Sequence, residues 1–322
     1  MRAGTQLRVG LDIGGSKVHA VAVDDDGAVV AQARRPTTTG GAGVLRSAAE
    51  VLHALADATG TTVRDFVAVG VGVPGLVDPA EGGVAHAVNL GVAGDAMALR
   101  ASLGELTGAP VTVENDVNAA ALGAALLLEL PAPDLAYLSI GTGMAAGVVL
   151  DGVLRRGTRS AAGEIGHIPL DPAGPPCPCG QRGCLEVLAS GSAIARRWPS
   201  PDGLPAAQAL FRAADAGDPT ACHIRDEVVG HLAGAVRLLV LTLDVDVVVL
   251  GGGVAQVGEP LGAAVRQALV QLQAGSPFLQ SLDLSSRVVM SPPDRPVAAI
   301  GAALVGQRSP VRSSPLTAGS PA

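Results

Sequence analysis

One histidine and three cysteines stand close together in the middle of the chain. His167 lies in the segment GEIGH, and Cys177, Cys179 and Cys184 follow in CPCGQRGCLE. Together they offer four nitrogen and sulfur ligands, the complement of a closed tetrahedral zinc site. Incidental thiols or a redox pair are the alternatives, and the neighbouring histidine favours zinc. Cys222 stands apart and is expected to be a small buried apolar residue.

The loop between these ligands is rich in proline and glycine, so hydrophobic packing alone would not fix its shape. A bound metal would fix it. The metal would also hold Glu164, His167 and Glu186 in one place, as hydrogen-bond partners for a polyhydroxylated ligand. His167 can give one ring nitrogen to the metal and the other to a ligand hydroxyl.

A second polar segment, Glu114-Asn115-Asp116-Val117-Asn118, falls between an apolar strand and a helix-forming run. Asn115 or Asp116 could simply cap that helix, and the local sequence favours this capping role and a catalytic role equally. In the alternative, Asp116 is a general base. Phosphoryl transfer to an alcohol needs a carboxylate that accepts the hydroxyl proton, and Asn115 would hold a neighbouring hydroxyl.

Three glycine-rich turns each follow an apolar strand: residues 12–17 (DIGGSK), 141–143 (GTG) and 251–253 (GGG). Each alone is best explained as a tight turn. Glycines there also let backbone N–H groups approach a phosphate closely. The three together indicate two phosphate-binding hairpins and an adenosine-contacting turn. Asp12, beside the first, is then placed to hold Mg²⁺ through water.

The elements that carry these turns follow a repeated pattern. Strand-like runs at 7–13, 18–23 and 28–33 are separated by glycine turns, and the same order returns from Leu135. Two copies of a three-stranded unit suggest an internal duplication. Helix-like stretches include 43–58, 118–130 and 222–243, whereas 199–219 is expected to be a surface insertion.

Composition excludes several classes of protein. The chain has 322 residues with 48% hydrophobic content, too many apolar residues for extended disorder. The net charge of −7 and an aromatic content of 2% argue against nucleic-acid binding. The apolar runs are too short to cross a bilayer, and the N-terminus has no signal-peptide pattern. We therefore expect a soluble, cytoplasmic protein with no membrane partner.

In order along the chain, the motifs DIGGSK, VPGLVD, ENDVNAAALG, IGTGMAAG, GEIGHIPL, CPCGQRGCLE and LGGGVA resemble the ROK family of repressors, open reading frames and kinases. The resemblance runs from Leu7 to Gly306. It implies an α/β, actin-like ATPase (ribonuclease H-like) bilobed fold with duplicated βββαβα domains. A sugar would lie between the lobes, and ATP with Mg²⁺ at the hinge.

The resemblance also implies a role for each matching residue. Asp116 would be the catalytic base, and structural Zn²⁺ would be bound by His167, Cys177, Cys179 and Cys184. Sugar would be bound by Gly75, Asn115, Glu164, His167 and Glu186. The nucleotide site would comprise Asp12, Gly14, Gly15, Ser16, Lys17, Gly141, Thr142, Gly143, Gly252, Gly253 and Val254.

The implied domain boundaries are a small lobe of residues 1–117 plus 297–308, a large lobe of 118–296 with the zinc loop, and a disordered tail of 309–322. The family also suggests a homodimer. The chain departs from the family at Met144-Ala145-Ala146, where relatives usually have more glycine, and at Val92, where an aromatic residue is frequent.

The activity expected first is an ATP-dependent hexose kinase acting on the 6-hydroxyl of glucose. An N-acetylhexosamine kinase (N-acetylglucosamine or N-acetylmannosamine) is the runner-up, and polyphosphate is a less favoured donor. A sugar-sensing regulator of the same family would need a helix-turn-helix ahead of the first strand, and the six residues there cannot form one. A catalytically silent sugar-binding protein would bind sugar but not ATP-Mg²⁺.

Overall fold

The computed structural model describes residues 6–78, 81–85, 87–92, 97–130, 134–200 and 203–305. The tail expected at 309–322 lies outside these residues. Within them, no helix has both the length and the apolar character that a membrane span requires.

The first part of the chain forms a five-stranded sheet. Its strands are β1 (Leu7–Ile13), β2 (Lys17–Val23), β3 (Val29–Pro36), β4 (Phe66–Val73) and, after the small hairpin of β5 (Leu76–Asp78) and β6 (Gly83–Ala85), β7 (Val111–Asn115). The strand order is β3-β2-β1-β4-β7. β2 runs antiparallel to both of its neighbours, β1 and β3, and β4 and β7 run parallel to β1.

The second part repeats this arrangement. Its strands are β8 (Leu135–Ile140), β9 (Met144–Leu150), β10 (Val153–Leu154), β11 (Val247–Gly251) and β12 (Val288–Met290). Their order is β10-β9-β8-β11-β12, with the same parallel and antiparallel relations as in the first sheet. The duplication predicted from the glycine turns is confirmed.

Helices connect the strands in the same places in both units. They are α1 (Gly41–Thr59), α2 (Leu99–Thr107), α3 (Asp116–Leu127), α4 (Leu185–Ala189), α5 (Gly191–Arg197), α6 (Ala206–Asp215), α7 (Pro219–Leu243), α8 (Glu259–Gln273), α9 (Pro277–Ser281) and α10 (Val297–Val305). Each unit thus runs βββαβα and adds one further strand and helix. The final helix is α3 in the first unit and α10 in the second.

These two final helices are exchanged between the units. α10 packs on β1 and β4 of the first sheet, whereas α3 packs on β8 and β9 of the second, and the two helices pack against each other. Their close approach needs glycine. A Cβ on Gly301 would lie 1.7 Å from the carbonyl oxygen of Ala119, and one on Gly123 would lie 2.0 Å from that of Val297. This crossing joins the two units and places the N-terminus of α3 between the sheets.

The expectation of a surface insertion at 199–219 is wrong. α6 occupies residues 206–215 of this segment, and its residues Leu210 and Phe211 are buried in the core of the second unit. The helix has one apolar face, which packs on α7. Prolines and glycines at both ends of the segment concealed that pattern.

Replacing Gly301 with alanine should lower the free energy of unfolding by about 1–3 kcal/mol, because the new methyl group overlaps the backbone of α3. Urea denaturation measures the change. Gly230→Ala is the matched control: Gly230 also lies within a helix, α7, but a Cβ there meets nothing within 4 Å. That control should raise stability by about 0.5–1 kcal/mol. Equal effects of the two substitutions would contradict the close helix crossing.

Candidate active site

Asp116 is the first residue of α3 and directly follows β7. Its Oδ1 accepts a hydrogen bond from the backbone N–H of Val117 at 3.0 Å. Burial raises the pKa of the Asp116 carboxyl, the backbone N–H groups oppose this, and the charge of Glu164 raises the pKa further. A carboxyl in this position has a higher proton affinity than a surface aspartate, which suits a proton acceptor.

The neighbouring Asn115 caps the same helix. Its Oδ1 accepts hydrogen bonds from the N–H groups of Val117 at 2.9 Å and Asn118 at 3.2 Å. Its Nδ2 donates to the carbonyl oxygen of Gly75 at 3.3 Å. The capping role considered from the sequence is therefore present. The structure also brings together three residues predicted to contact sugar or its proton: Gly75, Asn115 and Asp116.

Asp12 lies near the end of β1, close enough to Asp116 for the two charges to interact. Burial raises the pKa of Asp12 to about 7, the charge of Asp116 raises it as well, and Lys17 partly opposes them. Two carboxylates in one poorly solvated site repel each other, and a cation between them relieves that repulsion. The oxygen donors present fit Mg²⁺, which prefers carboxylate ligands together with water and phosphate.

The first glycine turn joins β1 to β2. Gly14 donates its N–H to the carbonyl oxygen of Lys17 at 2.9 Å. Thr37, directly after β3, holds this turn by two hydrogen bonds. Its Oγ1 donates to the carbonyl oxygen of Gly14 at 2.6 Å, and its backbone N–H donates to the carbonyl oxygen of Ser16 at 3.1 Å. Sequence reasoning missed Thr37, which belongs to no recognisable motif. Ser16 and Lys17 are exposed at the turn.

The second and third turns lie against each other. The second, between β8 and β9, is closed by a hydrogen bond from Gly141 N–H to the Gly143 carbonyl at 3.0 Å, and Thr142 is exposed. Gly252, in the third turn, has φ +83°, and a Cβ there would lie 2.7 Å from the backbone of Ile140. Gly253 begins the 3-10 turn Val254–Val257. Val254 is buried in the core, so only its backbone is available to a ligand.

The methyl groups of Ala145 and Ala146 lie within β9 rather than in the turn itself. Ala146 is buried in the core of the second unit. The next residue, Gly147, packs against α3, where a Cβ would lie 2.5 Å from the Val117 carbonyl oxygen. Because side chains alternate along a strand, Ala145 shares this face with Gly147.

Tyr137 connects the third turn to the aspartates and was also missed. Ser291 and the backbone of Gly252 act on its hydroxyl and lower the pKa, against the larger effect of burial. Burial raises the pKa of the Tyr137 hydroxyl, and the charges of Asp12 and Asp116 add to the shift. It is the single tyrosine of the chain, and nothing else in the sequence marked it as a residue of the site.

Glu186, at the start of α4, holds the second turn. Its Oε2 accepts a hydrogen bond from Met144 N–H at 3.0 Å, and a Cβ on Gly143 would lie 2.5 Å from the same oxygen. Glu186, which is predicted to bind sugar, thus contacts the second glycine turn, which is predicted to bind phosphate. Glu164, by contrast, is exposed, and its charge reaches Asp116.

His167, Cys177, Cys179 and Cys184 come together as one cluster. Their ligand atoms all lie within 4.8 Å of one another. The Sγ atoms of Cys179 and Cys184 are 3.7 Å apart, and His167 Nδ1 is 3.8 Å from Cys177 Sγ. Tetrahedral coordination with bonds of about 2.3 Å requires sulfur atoms about 3.8 Å apart, so the cluster fits zinc.

A nearby glutamine supports the cluster. Gln181 Nε2 donates to the carbonyl oxygen of His167 at 3.0 Å and to Cys179 Sγ at 3.4 Å. Hydrogen bonds from Gln181 lower the pKa of the Cys179 thiol to about 6, which favours the thiolate that metals bind, whereas burial raises the pKa of the Cys184 thiol to about 12 in the metal-free cluster. His167 turns Nδ1 toward the thiols, so Nε2 is left for another partner.

A cavity of about 360 Å³ lies beside the 3-10 turn that follows the third glycine turn. It is bounded by α6, the 3-10 turn and the start of α8, with Phe211, Val257 and Pro260 among its lining residues. The polar side chains of Gln208, Arg212 and Asp215 complete its walls.

Comparisons with known proteins agree with this geometry. The family model described as "ROK family" matches residues 8–307. The glucokinase of Thermotoga maritima is 33% identical over 315 residues, covering 92% of this chain and 96% of that protein. The N-acetylmannosamine kinase of Vibrio cholerae is 32% identical over 248 residues, covering 76% and 83%.

A solved structure is similar over nearly the whole chain. The ROK family glucokinase from Streptomyces griseus, in complex with glucose and AMPPNP, superimposes with a TM-score of 0.76 at 29% identity, covering 92% of this chain and 98% of that one. The expected actin-like fold is confirmed, since the neighbours are ROK sugar kinases of that fold. With two like-ordered sheets and a family match across almost all of its length, the chain belongs to the ROK family.

Proposed function

We propose that the chain is an ATP-dependent hexose kinase that phosphorylates the 6-hydroxyl of glucose. The observation that carries this proposal is that Asp12, which directly precedes the first glycine turn, and Glu164, from the second unit, each interact electrostatically with Asp116. Glucokinase relatives that cover most of the chain support it.

Asp116 accepts the proton of the sugar hydroxyl. The N-terminus of α3 and the cap from Asn115 fix the direction of its carboxylate. Gly75, Asn115, Glu164, His167 and Glu186 bind the other hydroxyl groups and hold the acceptor oxygen beside Asp116. Positioning of this kind supplies much of the rate gain in phosphoryl transfer.

The nucleotide is bound by the glycine turns. ATP with Mg²⁺ supplies the phosphoryl group and shields its charge. Backbone N–H groups of the first two turns face the phosphates, and Asp12 holds Mg²⁺ through water. The cavity beside the third turn takes the adenosine moiety, because Gln256 and Val257, which line it, belong to the 3-10 turn that directly follows Gly253.

The cluster formed by His167, Cys177, Cys179 and Cys184 holds a structural zinc ion. Its four ligands leave no open position, so the metal fixes the loop rather than activating water. Glu186 follows the last ligand by two residues, and fixing the loop therefore fixes the carboxylate that contacts the second turn.

We also propose the lobes 1–117 plus 297–308 and 118–296, and a cytoplasmic homodimer. The packing of α10 on β1 and β4 supports assigning the C-terminal helix to the small lobe. The dimer rests on the family resemblance.

An N-acetylhexosamine kinase is the second candidate, favoured by the N-acetylmannosamine kinase relatives. A coupled assay of ADP release over a panel of hexoses and N-acetylhexosamines separates the two. The largest kcat/KM should be for glucose. A larger value for N-acetylmannosamine or N-acetylglucosamine would favour the second candidate, and no turnover with any sugar would overturn both.

Asp116→Asn should lower kcat about 10²–10⁴-fold and leave the sugar affinity largely unchanged, because the amide cannot accept the proton. Steady-state kinetics and sugar titration measure both. Asp218→Asn is the matched control, since Asp218 caps α7 as its N-cap residue and asparagine caps equally well. A near-normal kcat in Asp116→Asn would show that Asp116 is not the proton acceptor.

The metal-free protein should lose stability as pH rises, owing to Asp12. The pKa of this carboxyl is raised from 3.8 to about 7 in the folded protein, so its contribution is complete below about pH 4 and is lost as pH rises through about 7. Between about pH 5 and pH 8 with a chelator, Tm should fall more in the wild type than in Asp12→Asn. If the Tm of the two proteins changed equally with pH, the pKa of Asp12 would not be raised in the folded protein.

Cys179→Ser should abolish zinc binding and raise the KM for sugar, because the loop that carries His167 and leads to Glu186 loosens. Elemental analysis should find about one zinc ion per chain in the wild type and in Cys222→Ser, the matched control outside the cluster. Full zinc content and an unchanged sugar KM in Cys179→Ser would exclude the metal site.

A further inference from the structure

Glu114 is a buried carboxylate beside the proposed proton acceptor. It lies in β7, and its side chain is only 2% exposed. Its Oε1 accepts hydrogen bonds from Asn115 N–H at 3.0 Å and from Asn118 Nδ2 at 2.9 Å. These two residues flank Asp116, so Glu114 holds the chain on both sides of it.

The other oxygen of this carboxylate reaches the second unit. Glu114 Oε2 accepts a hydrogen bond from Arg156 Nε at 2.6 Å. Arg156 follows β10 and is 35% exposed, so the pair has one buried and one partly solvated member. A charged pair with a short hydrogen bond and a buried acceptor is costly to break, because the remaining carboxylate loses its counter-charge.

Arg156 also begins the loop that delivers Glu164. Its carbonyl oxygen accepts a hydrogen bond from Ala162 N–H at 3.0 Å, which closes the loop. At the other end, Ala146 N–H donates to the Gly163 carbonyl at 2.7 Å and so ties the loop to β9. Glu164 therefore extends from a loop anchored at both ends, one anchor being the residue paired with Glu114.

Asp116 and Glu164 come from different units and carry like charges, so their mutual repulsion opposes the spacing that the site needs. The Glu114–Arg156 pair joins the two segments, two residues before Asp116 in one and eight residues before Glu164 in the other. We propose that this ion pair is a positioning device that sets the spacing between the proton acceptor Asp116 and the sugar-binding Glu164. The inference rests on the proposed function, and neither member of the pair contacts the reactants.

The test uses Arg156→Met, Arg156→Lys, Glu114→Gln and the double variant Glu114→Gln/Arg156→Met. Arg156→Met should lower kcat about 10²-fold and raise the KM for glucose, with the KM for ATP unchanged, because small misplacements at a reacting centre have effects of this size. Arg156→Lys should recover part of the loss. The double variant should be no worse than the more damaged single variant, since both remove the same interaction.

Arg155→Met is the matched control. Arg155 is the preceding residue and also forms an ion pair, with Asp151, but that pair is exposed and lies within the second unit. Its kcat should stay within about twofold of the wild type. Hydrogen exchange of residues 157–166 should be faster in Arg156→Met and Glu114→Gln, but not in Arg155→Met.

A positioning role and a merely structural one give different results. If Arg156→Lys and Arg156→Met both fold and keep the wild-type kcat and glucose KM, the inference is overturned and the kinase proposal stands. The inference is also overturned, and the kinase proposal again stands, if kcat falls only in proportion to the fraction of folded protein measured by thermal denaturation. A wild-type chain that phosphorylates no sugar of the panel would instead overturn the proposed function, and this inference with it.

Discussion

The crossing of α3 and α10 is the constraint on which the rest of the structure depends. Glycines at the contact let one helix approach the backbone of the other, and each helix covers the sheet of the opposite unit. The exchange ties the units together at one place and leaves the carboxyl ends of their central strands facing the same region. Asp116 stands at the N-terminus of one of these helices, so the packing that joins the units also aims the proposed base.

The proposed active site works against stability. Asp12 and Asp116 meet in poorly solvated positions, Glu164 adds a third negative charge, and the pKa values of both aspartates are raised as a result. Two features offset this repulsion: the charge of Lys17, which acts on Asp12, and the N–H groups at the start of α3, which act on Asp116. Mg²⁺ with its nucleotide would offset it further. Such concentration of like charge is typical of sites that bind cations and transfer protons.

Much of this arrangement could be predicted from the sequence because its signals are local. The duplicated sheets are marked by glycine turns after apolar strands, and the candidate metal site by one histidine and three cysteines in a short segment. α6 was missed because prolines and glycines surround an ordinary amphipathic pattern. The exchange of α3 and α10 has no local signal at all. The pair formed by Glu114 and Arg156 joins residues 42 positions apart, and neither side chain is unusual in its own segment.

A crystal structure of the chain with glucose and a non-hydrolysable ATP analogue tests the central claim most directly. The account predicts a carboxylate oxygen of Asp116 within about 2.6–3.2 Å of the sugar O6, with O6 directed at the terminal phosphate. A sugar bound with O6 turned away from Asp116, or a different side chain within hydrogen-bond distance of it, would contradict the account.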